Sequence, residues 1–187
     1  MSLDLSDIYP TVRLNHMRKN TSGFTIVELL IVIVIIGILA TVTILAYNGV
    51  QQRARNQQTV AAVGSYTKAL ISYATENGTY PPFRSPLSCL GVGYTCDSLI
   101  DATANTAALL SDLSSYIKVA PQPATSARVG TGNRTGALYA GSVDTDRYIL
   151  FIQENQSTCP QITGLSPRQA PELAGGNAIC RSLLPTP

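Results

Sequence analysis

Few side chains in this chain are placed to do something special: Glu28, the Gly23–Phe24 junction and four cysteines. Glu28 is the one charged residue between Lys19 and Arg53, and it sits inside the apolar run Phe24–Ala46. A carboxylate at the centre of a membrane helix costs about 2.5–3.5 kcal/mol on insertion scales, less near the interface, and is usually paired. Proteolysis just ahead of the run would supply the partner. The new α-amine of Phe24 would lie one helical turn from Glu28, and the same amine on a neighbouring copy is equally eligible. An intermolecular pair would set the axial register between helices that otherwise present uniform apolar surface. The plainer alternative is that Glu28 snorkels to the headgroups from a shallow position.

The remaining groups make a poor catalyst. An enzyme needs a nucleophile, a base or a metal set gathered in one pocket. Residues 78–187 hold no histidine, which excludes serine–histidine and cysteine–histidine systems there. Their acidic residues (Asp97, Asp101, Asp112, Asp144, Asp146, Glu154, Glu172) are scattered. We expect no enzyme and no cofactor. The stretch Gly130-Thr131-Gly132-Asn133-Arg134-Thr135-Gly136 lacks the lysine and the strand-to-helix setting of a phosphate loop, and reads as a flexible loop. Four cysteines allow three pairings. We favour the sequence-local ones, Cys89–Cys96 and Cys159–Cys180, the second closing a loop worth about 3 kcal/mol in the chain-entropy model. Neither pair has C-x-x-C spacing, and the lone His16 lies near the N-terminus, so no zinc or other metal site is expected. Asp144 and Asp146 read as a polar hairpin turn in preference to calcium ligands.

The elements that must position these groups follow from an uneven composition. The length, 187 residues, suits one globular domain plus one extended element. Thirteen basic residues against eleven acidic ones make no broad field for nucleic acid, although DNA binding stays open. After Pro10 no proline occurs until Pro81, and ten follow from there. Interior proline costs a helix about 3 kcal/mol, so the proline-free block permits one long helix. The chain divides into a basic leader (1–23), an apolar half-helix (24–50), an amphipathic half-helix (51–77) and a cysteine-bearing domain (78–187).

The apolar run of 23 residues would reach about 35 Å as a helix, enough to cross a hydrocarbon core of about 30 Å. Arg13, Arg18 and Lys19 precede it, which places the N-terminus in the cytoplasm. Four cysteines in a small proline-rich domain agree, since they suit an oxidising compartment. A secretory signal would carry its small-residue cleavage site after the apolar core. Here Gly23 stands in front of the run, so cleavage there would leave the greasy helix on the mature chain. Gly37, inside the span, is either a weak point of the helix or a place of close packing.

Beyond Val50 the helical period continues in Val60, Val63, Tyr66, Leu70, Tyr73 and Asn77. Gln51, Gln52, Arg53, Arg55, Asn56, Gln57 and Gln58 are too polar to bury together, so docking on the domain should begin near Val60. Asn77-Gly78 is a helix stop. A second helix is expected from Asp101 to Lys118, and a hairpin joins Ala137–Val143 to Tyr148–Ile152 across Asp144-Thr145-Asp146.

The string Lys19-Asn20-Thr21-Ser22-Gly23-Phe24-Thr25-Ile26-Val27-Glu28-Leu29-Leu30 resembles the class III signal of type IV pilins and pseudopilins. Likeness extends over about residues 18–80, through Tyr73-Ala74 and Asn77-Gly78-Thr79-Tyr80-Pro81. The resemblance implies an α+β pilin-like fold: a long N-terminal helix, membrane-spanning in its first half, on a small antiparallel sheet with a disulfide-closed C-terminal region. It implies cleavage between Gly23 and Phe24 by a prepilin peptidase, methylation of the Phe24 amine, and register-setting by Glu28. It further implies residence in lipid before assembly, an inner-membrane assembly platform, and packing with identical or related subunits into a cell-surface filament serving adhesion, motility or DNA uptake. A pseudopilin of a secretion or competence machine is the alternative, and a monomeric membrane-anchored enzyme or binding module the remoter one. Major pseudopilins carry a proline-aspartate-proline sequence near a calcium site, where this chain has Pro121-Gln122-Pro123. Residues 1–16 precede a leader that Met17–Gly23 would supply alone, so Met1 and Met17 are both candidate starts.

Overall fold

The computed structural model describes residues 23–82, 87–141 and 146–187. The expected leader up to Ser22, and Asp144 of the expected hairpin turn, lie outside the described residues. The chain forms two compact units that divide between Ile44 and Leu45.

The first unit contains the start of helix α1 (Ile26–Asn77), which continues unbroken through Gly37. Its apolar side chains are exposed on every face, as with Leu29, Ile33 and Ile38. A helix apolar all round is built for a non-aqueous surrounding rather than for one packed face. Its two threonines fit that surrounding, because Thr41 Oγ1 donates to Ile38 O (2.7 Å) and Thr43 Oγ1 to Ala40 O (2.9 Å). Polar groups in hydrocarbon must be satisfied internally, and these are.

In the second unit the rest of α1 packs on a six-stranded antiparallel sheet in the order β1-β2-β3-β6-β4, with β5 also on β6. The strands are β1 (Ser88–Cys89), β2 (Ala137–Gly141), β3 (Arg147–Gln153), β4 (Ser166–Pro167), β5 (Glu172–Ala174) and β6 (Asn177–Leu183). Period-two alternation divides their side chains between two faces. Ala137, Tyr139, Ile149, Phe151, Ala178 and Cys180 join Val63, Tyr66, Leu70 and Ala74 of α1 in one buried cluster. Leu138, Ala140, Leu150, Ile152 and Ile179 form a second cluster with Cys89, Cys96 and Val129. Burial on both faces explains why Tyr148–Ile152 reads as a continuous apolar run instead of an alternating one.

Helix α1 ends as its sequence suggests, with Gly78 at φ +70°, a conformation that favours glycine past a last helical turn. Helix α2 (Thr103–Asp112) is shorter than expected. The residues that follow it loosen from the α pattern, with Ser114 N donating to Ser111 O and Tyr116 N to Leu113 O, each three residues back. The sheet is larger than expected too, since β1, β4, β5 and β6 add to the paired β2 and β3.

Docking of α1 starts four residues before Val60. Asn56 is buried although amidic, because its Nδ2 donates to Glu154 O (3.0 Å) and its Oδ1 accepts from Glu154 N (2.8 Å). A buried polar group is tolerated when paired in this way. Arg55 Nε reaches Glu154 Oε2 at 2.9 Å, and Ala124 N donates to Thr59 Oγ1. A polar seam thus holds the helix where apolar contact has not yet begun.

The glycine-rich segment is a tight turn, correcting the expectation of a flexible loop. Val129 and Arg134 form a β-bridge, and Arg134 Nε meets the buried Asp97 carboxylate at 2.9 Å. Asp97 also accepts from Leu99 N, and a Cβ on Gly132 would lie 2.6 Å from Asp97 Oδ1. Glycine is required there because the carboxylate occupies the space a side chain would need.

Burial raises the pKa of four tyrosines. Tyr66 is pushed up to about 12, and Tyr80, Tyr94 and Tyr139 move in the same direction. Above the ordinary value near 10, the unfolded chain gives up protons that the folded chain keeps, so stability falls as pH rises through that range. Chemical denaturation should give a flat profile to about pH 10 and a decline above it. Among the described residues the Tyr66 hydroxyl is in addition buried without a hydrogen-bond partner. Tyr66→Phe should therefore stabilise the unit by about 1 kcal/mol at neutral pH, seen as a higher melting midpoint, and should soften the alkaline decline. An unchanged or lower midpoint would contradict this.

Candidate assembly site at the start of the long helix

Gly23, Phe24 and Thr25 precede α1 in irregular backbone, and the Phe24 side chain is 81% exposed. The Gly23–Phe24 peptide therefore stands outside the helix, free of the hydrogen-bond ladder that would hide it from a protease.

Local sequence makes the helix begin at Ile26. Thr25 is the residue before the first turn and Glu28 is three residues on, the spacing of a capping box. The structure has both halves of it. Glu28 N donates to Thr25 Oγ1 at 3.2 Å, and Thr25 N donates to Glu28 Oε2 at 3.1 Å. Thr25 Oγ1 also donates to Glu28 Oε2 at 3.1 Å, and Leu29 N closes the first turn on Thr25 O. A carboxylate in the first turn is favoured further by the positive end of the helix dipole.

Both donors use the same oxygen of Glu28. The other, Oε1, receives no hydrogen bond among the described residues. An ionised carboxylate can accept about four hydrogen bonds, so the group is held in place yet keeps room for an ammonium. That is what the arrangement can do chemically: it presents a fixed, half-used anion at the tip of an apolar rod, next to an exposed peptide bond.

The structure brings Gly23, Phe24 and Glu28 together at one helix end. Thr25 was not singled out by the sequence reading, although the T-x-x-E spacing before an apolar run was a visible signal. Thr25→Val keeps the shape and removes the Oγ1 contacts. A lost cap costs about 1 kcal/mol, so the Glu28 amide should exchange hydrogen about fivefold faster in detergent micelles. Unchanged exchange would mean that the cap does not hold the first turn.

The cysteines belong to the second unit, bonded as Cys89–Cys96 and Cys159–Cys180 with Cα separations of 5.5 and 5.7 Å. At the place of the proline-aspartate-proline sequence, Gln122 is a tether: its carbonyl accepts from Gln58 Nε2 and its Oε1 from Val92 N. The Asp146 carboxylate is paired with Arg168 at 3.0 Å.

Comparison with known proteins places the similarity over this same end. The prokaryotic N-terminal methylation motif matches residues 18–44. The type IV wide pilus major component PilA4 of Thermus thermophilus is 35% identical over 92 residues, 47% of this chain and 70% of that protein. Type II secretion system core protein G of Aeromonas hydrophila is 34% identical over 73 residues, 39% of this chain and 51% of that protein. Against the corresponding protein of Vibrio cholerae the figures are 35% over 77 residues, 41% and 52%. The chain thus spans about half the length of the secretion-system relatives it matches. No solved structure matches it.

Proposed function

The chain belongs to the type IV pilin and pseudopilin family, and from that premise we propose that it is the structural subunit of a type IV pilus or related filament. A prepilin peptidase cuts between Gly23 and Phe24 and methylates the Phe24 amine. Before assembly the subunit sits in the cytoplasmic membrane as a single-pass protein, with leader 1–23 inside, residues 24–50 in lipid, and residues 51–77 and the head 78–187 outside. An inner-membrane assembly platform then transfers it into a cell-surface fibre of identical or related subunits.

The observation that carries this reading is the capped Glu28 beside an exposed Gly23–Phe24 bond. A helix that served only as a tether would need neither. In the fibre the free oxygen of Glu28 takes the α-amine of Phe24, its own or a neighbour's, and a contact between neighbours fixes how far one rod slides along the next. Thr25 keeps the carboxylate aimed while the subunit is still alone in lipid. Filament formation here supports adhesion, motility or DNA uptake. A second reading, a pseudopilin of a secretion machine, is favoured by the secretion-system relatives; Gln122 in place of the aspartate argues against the calcium-binding form of it.

Mass spectrometry of the chain from cells with the processing machinery tests the proposal. We expect a mature N-terminus at Phe24 carrying one methyl group. A chain that retains residues 18–23 would refute it.

A further inference from the structure

We propose that the cleft between α1 and the end of β3 binds the headgroup of an anionic phospholipid that carries hydroxyls, of the phosphatidylglycerol type. This site rests on the lipid placement of residues 24–50 proposed for the unassembled subunit. The cleft measures about 500 Å3. Arg53, Asn56 and Gln57 line it from the helix, and Gln153, Gln156 and Thr158 from the strand end and the loop beyond; no carboxylate lines it.

Two of these side chains are buried amides with capacity to spare. Ile149 and Phe151 turn toward α1, and Gln153 follows on the same face of β3. It is 4% exposed, yet its Nε2 reaches only Ile152 O at 3.4 Å, longer than a normal bond of this kind. Its Oε1 accepts no hydrogen bond among the described residues. Unlike the sealed Tyr66 hydroxyl, that oxygen keeps surface in the cleft. Asn56 gives one amide hydrogen to Glu154 O and keeps the other. A buried amide used so little points to a partner that the chain does not supply. Arg53 completes the set. It makes no hydrogen bond or ion pair among the described residues, whereas Arg55 is tied to Glu154.

The chemistry of the lining and its depth together name the ligand. An unpaired guanidinium takes a phosphate diester, a single positive charge against a single negative one. An acceptor oxygen and a donor N–H in the same cleft suit a hydroxyl, which both donates and accepts. A glycerol headgroup brings such hydroxyls. An ethanolamine or serine headgroup brings an ammonium instead, and no carboxylate in the lining would receive it. Val50 ends the half-helix assigned to lipid, and Arg53 follows about 4.5 Å further along the helix. The headgroup layer on each side of a bilayer is about 5–7 Å deep, so the guanidinium stands among phosphates. Asn56 lies about one helical turn further out, where the headgroup glycerol extends. The walls are also firm, because Asn56 clamps Glu154, the residue after Gln153, and Cys159 is locked to Cys180.

The test titrates the processed full chain in phosphatidylcholine bicelles with phosphatidylglycerol, phosphatidylserine or phosphatidylethanolamine, following the Gln153 side-chain amide by NMR. Phosphatidylglycerol should shift those signals to saturation and bind at least about fivefold tighter than either other lipid. The deacylated headgroup, glycerophosphoglycerol, should bind at least about tenfold more weakly, because no acyl chains hold it at the membrane. Arg53→Gln should weaken binding by about fivefold or more, and Arg53→Lys by less. Gln153→Met fills the same space without the hydrogen bonds. It should lower affinity severalfold while the melting midpoint stays equal or rises, which a purely structural amide would not do. An equal response to phosphatidylserine, full affinity in Arg53→Gln or Gln153→Met, or a deacylated headgroup as tight as the lipid would each overturn the proposal. So would signals that move with protein concentration alone, which would mark a second copy of the chain as the occupant. The mature N-terminus is read by mass on the same sample, so a Phe24 start without lipid preference removes this site and leaves the filament reading standing.

Discussion

A Glu28→Leu chain should enter the membrane, be cut at Gly23–Phe24, and then fail to polymerise, with filament yield below about a tenth of the parent's. Insertion improves because the span loses a side chain that costs about 2.5–3.5 kcal/mol at mid-bilayer. Assembly suffers because the apolar helix has no other feature that distinguishes one axial offset from the next: Leu29 to Ala40 offers only aliphatic side chains and Gly37. Losing about 1.5 kcal/mol per added subunit already shifts each addition more than tenfold, and a fibre repeats that addition many times. Glu28→Gln makes the experiment sharper. Glutamine still serves a capping box, so the bonds with Thr25 and the helix start survive while the charge is lost. If the Gln chain polymerises like the parent, the cap matters and the ion pair does not. If both chains fail, the charge sets the register. Sheared filaments and membrane fractions, blotted for the chain, give both readings.

Sequence patterns read well where one local cause acts alone. The proline-free block and Asn77-Gly78 marked the course and end of α1, since a helix stop depends on a few adjacent residues. The β2–β3 hairpin was visible because Ala137–Gly141 and Tyr148–Ile152 carry strand residues around a polar turn. What escaped notice depends on partners far along the chain. Asn56 looks too polar to bury until Glu154, nearly a hundred residues later, offers both a carbonyl and an amide. Strand β6 is a mixed string, Asn177-Ala178-Ile179-Cys180-Arg181-Ser182-Leu183, whose alternation acquires meaning only beside β3. The glycine-rich turn looked loose because nothing in its composition announces that Asp97 will occupy the space above Gly132. The Thr25 cap is a different kind of omission. Its T-x-x-E spacing is local and legible, and Glu28 serves both as a cap partner for Thr25 and as an anion open to an amine.

Replacing Cys159 and Cys180 by alanine should lower the melting midpoint of the head by about 10 °C. The bond closes a separation of 21 residues, and its loss returns about 3 kcal/mol of chain entropy to the unfolded state; a unit of this size loses about 3 °C per kcal/mol. Topology says where the loosening goes. Between Cys159 and the start of β6 the described strands are β4 and β5, of two and three residues, and both pair with β6. Strands so short hold little by themselves, so the stretch from Pro160 to Gly176 depends on the staple at one end, on β6 at the other, and on Ile162, buried in the cluster with α1. Cys180 is fully buried in the middle of β6, opposite Phe151, and alanine there also forfeits sulfur contacts in the core. Alanine is the right replacement, because serine would bury an unpaired hydroxyl and add a second cost. Removing Cys89–Cys96, with a separation of only 7, should cost less by the same entropic argument. Hydrogen exchange in the double-alanine chain should therefore rise over 160–176 while α1 between Val63 and Ala74 stays protected. A midpoint within about 2 °C of the parent's, or uniform loosening of helix and loop together, would show that the staple does not act through that segment.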